Sequence, residues 1–247
     1  MAHSTDLFPI EEDPFFLEDL LQMARAGNFR RWQFAMVAPY ITGKVLEVGG
    51  GIGNFTPELA RVAESVVSIE PNAYCFARLQ EKTKDLANVR VCNATVESLD
   101  QQLPPEDRRD TIVLMNVLEH IKDDAAVLQL LRRRLKPDGR IVLLVPAAPW
   151  AFGHIDERLG HYRRYSKASA RQLIAALGMQ VEKLRYFNFI GVWAWWWNAR
   201  ISKTRKQNDA QIRVFDRYFV PCISRVENVV APPVGQSLLL VARQHPG

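Results

Sequence analysis

The stretch Val45-Leu46-Glu47-Val48-Gly49-Gly50-Gly51-Ile52-Gly53-Asn54-Phe55 constrains this chain more than any other. A short apolar run ends in glutamate, breaks into glycines, and gives way to a helical pattern. That order predicts a buried strand, a tight turn and a helix start. Glycines in such a turn let the backbone approach a ligand closely, which a Cβ at the key positions would prevent. The dinucleotide spacing G-x-G-x-x-G fails here. Counted from Gly49 its last position is Asn54, and counted from Gly51 it is Thr56. The pattern present is E-x-G-x-G-x-G, from Glu47 to Gly53, and a carboxylate at the turn entrance suits a cationic ligand better than a pyrophosphate.

A chain of 247 residues with 48% hydrophobic content can build one α/β domain with a full core and an elaboration. Its cysteines, Cys75, Cys92 and Cys222, are far apart and lack C-x-x-C spacing. This points to a reducing, cytoplasmic setting and against zinc, and no metal ligand set is expected. The first residues, MAHSTDLFPIEEDPFF, are acidic and broken by prolines, unlike a signal peptide. No apolar run reaches the roughly eighteen residues of a spanning helix. A net charge of +5 permits nucleic acid or anionic membrane as a partner without requiring either.

From residue 44 strand-like and helix-like segments alternate, as in a doubly wound sheet. Strands are expected at 44–48, 66–70, 89–92, 110–115 and 140–145, with later ones at 180–186 and 237–242. Helices are expected at 54–63, 73–84, 123–135 and 167–177, and Pro137-Asp138-Gly139 signals a turn between helix and strand. Ser166 or Ser169 would cap the last of these helices and Gly178 would stop it. Two amphipathic helices at 13–26 and 29–40 would cover the ligand edge. The whole of 1–247 is thus expected to be one domain. Residues 1–40 form a helical cap, 41–187 with 236–243 the core, and 188–235 an insertion.

A second acidic residue belongs at the end of the second strand, about twenty residues after the turn, where it accepts hydrogen bonds from ribose hydroxyls. Glu70 follows Val66-Val67-Ser68-Ile69 there. Asn93 and Ala94, after the third strand, offer an amide and a small side chain beside an adenine, although a helix N-cap explains Asn93 nearly as well. Asn116, ending the fourth strand, lies where open α/β sheets place ligands. S-adenosylmethionine, with an ammonium, a sulfonium and a ribosyl adenine, matches this set.

In order and spacing, VLEVGGGIGNFT, SIEPN, NATVESL, DTIVLMNVLEHI and LKPDGRIVLLVPA resemble the successive motifs of the class I S-adenosylmethionine-dependent methyltransferases. The resemblance implies a Rossmann-like, mostly parallel seven-stranded sheet of order 3-2-1-4-5-7-6 with strand seven antiparallel. It also implies Glu47, Gly49, Gly51 and Gly53 at the methionine part, Glu70 at the ribose, Asn93 and Ala94 at the adenine, and Asn116 beside the methionine. Gly50 stands where Cys or Ala is more usual, and Asn93 where Asp is. A subset of bacterial members carries a segment similar to Asp156-x-x-x-Gly160-His161-Tyr162-Arg163-Arg164-Tyr165, which covers the active site.

Methyl transfer from a sulfonium needs alignment and, for a weakly acidic nucleophile, a base. His161 is the first candidate base and His154 the second, with Asp156 beside them. A packed lid whose arginines pair with acids is the competing account. Oxygen, as hydroxyl or carboxyl of a small organic or lipid-linked acceptor, is the expected methyl-accepting atom, with nitrogen second. An RNA or protein methyltransferase and a non-catalytic binder of the cofactor are the rivals. Arg132-Arg133-Arg134 reads as a solvated helix end. Trp193, Trp195, Trp196 and Trp197, followed by Arg200, Lys203, Arg205 and Lys206, leave three alternatives for 187–206: a pocket wall, a peripheral membrane contact or a subunit contact. Nucleic acid is not the expected partner.

Overall fold

The structure, a computed structural model, describes residues 14–198 and 209–245. Seven strands form one sheet: β1 (Lys44–Val48), β2 (Ser65–Ile69), β3 (Val89–Cys92), β4 (Arg109–Met115), β5 (Leu135–Pro146), β6 (Gln180–Phe187) and β7 (Ser237–Arg243). Their order is 3-2-1-4-5-7-6, and β7 runs antiparallel to both β5 and β6. Leu46 pairs with Val67 on one side and Ile112 on the other, so the apolar centres of β1, β2 and β4 lie level. Successive residues point to opposite faces. Leu46, Ile112, Ile141, Leu143 and Leu240 pack with the helices of one face, while Val45, Val113, Val142, Leu144 and Val241 join the other. Both faces are buried, which is why the strands read as unbroken apolar runs.

Helices α1 (Pro14–Arg25) and α2 (Gly27–Val37) precede the sheet, and α3 (Thr56–Val62), α4 (Ala73–Thr83), α5 (Leu99–Gln102) and α6 (Asp124–Arg132) follow successive strands. Caps set their ends. Asn72 accepts from the Cys75 N–H and Asp123 from the Ala126 N–H, while Ser166 opens α8 (Lys167–Ala176) by accepting from Ser169 N. Gly178, with φ of 63°, lets the chain leave α8. β5 begins earlier than expected. Leu135 already pairs with Arg109, and Pro137-Asp138-Gly139 forms an irregularity inside the strand, with Asp138 at φ of 62°. The Arg132–Arg134 run also differs from a solvated end: Arg134 is buried, donates to the Leu103 and Pro104 carbonyls, and pairs with Asp100.

The insertion is helical where it is described: α9 (Phe189–Trp197), α10 (Asp209–Val214), a π turn (Phe215–Phe219) and α11 (Val220–Val229). Arg200, Lys203, Arg205 and Lys206 lie outside the described residues, as does Asp13 of the expected first helix. Buried Glu227 holds the start of α9 by accepting the N–H groups of Asn188 and Phe189, each at 2.8 Å. Asp216 does the same for α2, whose N-cap residue Ala26 has no side-chain acceptor. Its carboxylate takes the Asn28 and Phe29 N–H groups at 3.1 and 2.7 Å. The N-terminal helices and the insertion are thereby tied together over the carboxyl ends of the strands. Among the described residues no helix is long and apolar enough to cross a membrane.

Candidate active site

The glycine turn is shaped by its neighbours. Gly49 and Gly51 have φ of 73° and 54°, and a Cβ on Gly49 would lie 2.5 Å from the Val117 side chain. Gly50 has an ordinary φ but no room, since a Cβ there would stand 2.3 Å from Ser68 Oγ and 2.8 Å from Leu79. This packing accounts for the departure from Cys or Ala at position 50. The Glu47 carboxylate turns beneath the loop, where one oxygen accepts from Thr56 Oγ1 at 2.7 Å and Ser68 Oγ at 2.6 Å. Burial raises its pKa, and the two hydroxyl donors offset this only in part. It locks β1, β2 and α3 around the turn.

Glu70 faces a cavity of about 390 Å³ above the strand ends, together with Gly49, Gly51, Asn116, His161 and Trp195. Its carboxylate accepts from the Gly51 N–H at 2.8 Å and the Asn72 N–H at 3.0 Å; burial raises its pKa against these two bonds. Asn116 reaches the cavity from the left-handed region, φ 54°, which asparagine tolerates. Leu20 and Met23 of α1 form the opposite wall. Gly53, Asn93, Ala94, His154 and Glu47 stand off this wall. Gly53 faces Leu79 and Lys82 of α4, and the Asn93 amide donates to the carbonyls of Glu70 and Pro71, holding the β2 and β3 ends together. His154 is the first residue of α7 (His154–Arg158), a short helix in what reads from sequence as loop.

Six signature residues of Asp156–Tyr165 have distinct parts in the strap above the cavity, while Tyr162 points its half-exposed ring outward. Asp156, wholly buried, accepts from Arg164 Nε at 2.7 Å, the Gly153 N–H at 3.0 Å and Trp195 Nε1 at 3.3 Å, and meets His161 Nδ1 at 2.9 Å. Gly160 turns the chain at φ 73°. The Arg164 guanidinium lies 4.6 Å from the Trp195 ring, and donates to the Ala147 carbonyl. Arg163 pairs with Asp124, which also accepts from the Tyr165 hydroxyl at 2.8 Å. The paired arginines expected of a lid are present, and Arg164 shares with His161 the Asp156 carboxylate that fixes the imidazole at the cavity wall.

Burial lowers the His161 pKa against the pull of Asp156, leaving a neutral ring at neutral pH, and His120 is pushed down to about 3. The two imidazoles meet edge to face with centroids 4.7 Å apart, and Glu119 adjoins them. Glu119 and His120 carry no site role in the sequence reading, whereas Trp195 lies in the segment for which a pocket wall is one alternative and Arg164 in the segment that resembles an active-site cover. The run Leu118-Glu119-His120 at a central strand's carboxyl end is the signal that could have found the first two.

A second, largely apolar cavity of about 640 Å³ lies against the first, sharing Met23, Phe29, Trp195 and Gln236 with it and continuing to Trp197, Phe215 and Phe219. The tryptophans divide accordingly. Trp195 joins both cavities and Trp196 packs near Ala148 and Val192, while Trp193 is 48% exposed against Trp150 and Phe189.

A seven-stranded sheet of this order with a glycine turn at β1 and an acid at β2 defines a Rossmann-like nucleoside-binding fold. Residues 17–198 match the family model described as a methyltransferase domain, and the chain belongs to that family. Among curated relatives, the ubiquinone biosynthesis O-methyltransferase of Rhodopseudomonas palustris (strain BisA53) is 29% identical over 110 residues, 43% of this chain and 41% of that protein. Its namesake in Bradyrhizobium diazoefficiens is 30% identical over 109 residues, 43% and 41% of the two chains. The matched segment spans less than half the length of these relatives. A SAM-dependent methyltransferase from Archaeoglobus fulgidus shares the fold with a TM-score of 0.58 at 17% identity, covering 86% of this chain and 91% of that one. The [4+2]-cyclase SpnF does so with 0.59 at 18%, covering 87% and 80%.

Proposed function

We propose that the chain transfers the methyl group of S-adenosylmethionine to an oxygen, hydroxyl or carboxyl, of a small organic or lipid-linked acceptor. The observation that carries this is that His161, held by buried Asp156, lines the same cavity as the glycine turn and Glu70. The residues present fit the cofactor. Gly49 and Gly51 leave backbone room, Glu70 supplies a carboxylate for ribose hydroxyls, and Asn116 offers an amide toward the methionine part, while Asn93 acts indirectly by holding the Glu70 and Pro71 carbonyls. When bound, the cofactor supplies an electrophilic methyl on a sulfonium. The chain's own residues align the acceptor, exclude water and act on its oxygen.

With Nδ1 held by Asp156, His161 has Nε2 left for the acceptor. A hydroxyl is a weak nucleophile until its proton is drawn away, and a group that assists this contributes about a hundredfold or more. The acceptor's body has a place in the apolar cavity beyond Trp195, which favours a molecule with a sizeable hydrophobic part. The names of the relatives, as O-methyltransferases, support oxygen over nitrogen.

His161→Ala is expected to lower turnover of a hydroxyl acceptor by at least about a hundredfold while leaving the affinity for S-adenosylmethionine near wild type. Steady-state rates and calorimetric titration read the two effects separately. Unchanged turnover removes His161 from the chemistry.

A further inference from the structure

We propose that Trp195 is a specificity-determining and positioning residue. It meets the apolar part of the acceptor in one cavity and steadies His161 in the other, so that acceptors carrying such a part turn over faster. This deepens the oxygen-transfer proposal and rests on it.

The indole stands where the two cavities meet and lines both. α9 brings it there, and the start of that helix is fixed by Glu227 and by the Asn188 side chain, which accepts the Gly191 N–H at 3.0 Å. The half-buried ring packs on Ile155 and Leu159, which bracket Asp156 along the chain, and on the cluster of Ala148, Ala151 and Val192. The Arg164 guanidinium lies 4.6 Å from its centroid. The polar edge of the ring reaches the chemistry. Nε1 donates to Asp156 Oδ2 at 3.3 Å, and Oδ1 of the same carboxylate meets His161 Nδ1 at 2.9 Å. The Gly153 N–H shares Oδ2 and Arg164 Nε shares Oδ1, at 3.0 and 2.7 Å. Of these four partners Trp195 makes the longest bond, and of the four it alone also lines the apolar cavity.

Ile155, next to Asp156 in the chain, lines that cavity too. An apolar occupant therefore meets both the residue beside the carboxylate on α7 and the carboxylate's donor on α9. Its dispersion contacts hold the indole with Nε1 toward Asp156, and Asp156 holds the imidazole with Nε2 toward the acceptor oxygen. Binding energy from a part of the acceptor that does not react then goes into orientation at the part that does. An acceptor lacking that part loses kcat as well as affinity. A phenylalanine at 195 would keep an aromatic wall but offer no donor to Asp156.

The test is a double-mutant cycle of Trp195→Phe and His161→Ala in the full chain. It is run on two hydroxyl acceptors with the same head, one bearing an apolar arm and one without it. In the wild type, kcat is expected to be at least about tenfold higher for the acceptor with the arm. Trp195→Phe is expected to lower kcat for that acceptor about tenfold, the size of one hydrogen bond to a charged group, with KM within about threefold of wild type. In the His161→Ala background the same substitution is expected to change kcat less than about twofold, because the residue through which it acts is gone. Equal kcat for the two acceptors in the wild type overturns the proposal even if a variant fails to fold. So does a full loss repeated in the His161→Ala background, which would make Trp195 a wall and no more; oxygen transfer then still stands. Unchanged turnover in His161→Ala alone overturns the assignment of His161 in the oxygen-transfer proposal, and this one with it.

Discussion

Asp156→Ala is expected to cost about 3–5 kcal/mol of folding stability, the range for breaking a buried ion pair from one side. The carboxylate is wholly buried and is the common acceptor for Arg164, Gly153 and Trp195 as well as the partner of His161. Its removal leaves the Arg164 guanidinium buried without its counter-charge. Burial pushes the Asp156 pKa up, but His161 and Arg164 outweigh it and hold the group below its ordinary value. A depressed carboxylate pKa stabilises above the unfolded value and loses that contribution as pH falls through the folded one. The difference between wild type and Asp156→Ala is therefore full at neutral pH and shrinks in acid. Urea unfolding at pH 7 and at pH 3 measures it. A loss below about 1 kcal/mol at pH 7 would mean that the strap is held by Tyr165 and Arg163 instead.

Glu70→Ala is expected to weaken S-adenosylmethionine binding by about a hundredfold, roughly 3 kcal/mol for hydrogen bonds to a charged acceptor in a shielded site. The same carboxylate receives the Gly51 and Asn72 N–H groups, so its loss also releases the glycine turn from β2. Titration calorimetry reads the change directly. A shift of threefold or less would mean that the ribose is recognised elsewhere.

The sheet was legible because strands buried on both faces must be apolar throughout, and turn residues bound each run. The β5 start was not legible. Pro137-Asp138-Gly139 has every property of a turn between elements, yet the pairing of Leu135 with Arg109 extends the strand across it. α7 escaped because it has five residues and follows Gly153, too short for a periodic pattern. The helix at the start of the insertion, α9, escaped for a different reason. α9 is apolar on nearly every side, so no polar face marks its period. At the site, the positions of Glu70 and Asn116 follow from strand ends, which sequence locates well. The direction of Glu47 does not, because it depends on hydroxyls at Thr56 and Ser68 that meet only when β1, β2 and α3 pack. The meeting of Glu119 and His120 with His161 is likewise tertiary. A strand, a helix and the strap separate them along the chain, and the fold alone makes them neighbours.

Oxygen as the methyl-accepting atom is the central claim. Turnover with methyl-labelled S-adenosylmethionine against matched hydroxyl, carboxyl and amine acceptors carrying the same apolar tail tests it most directly. Label in a methyl ether or ester, with the amine partner at least tenfold slower, is the predicted result; label on the amine alone would contradict it.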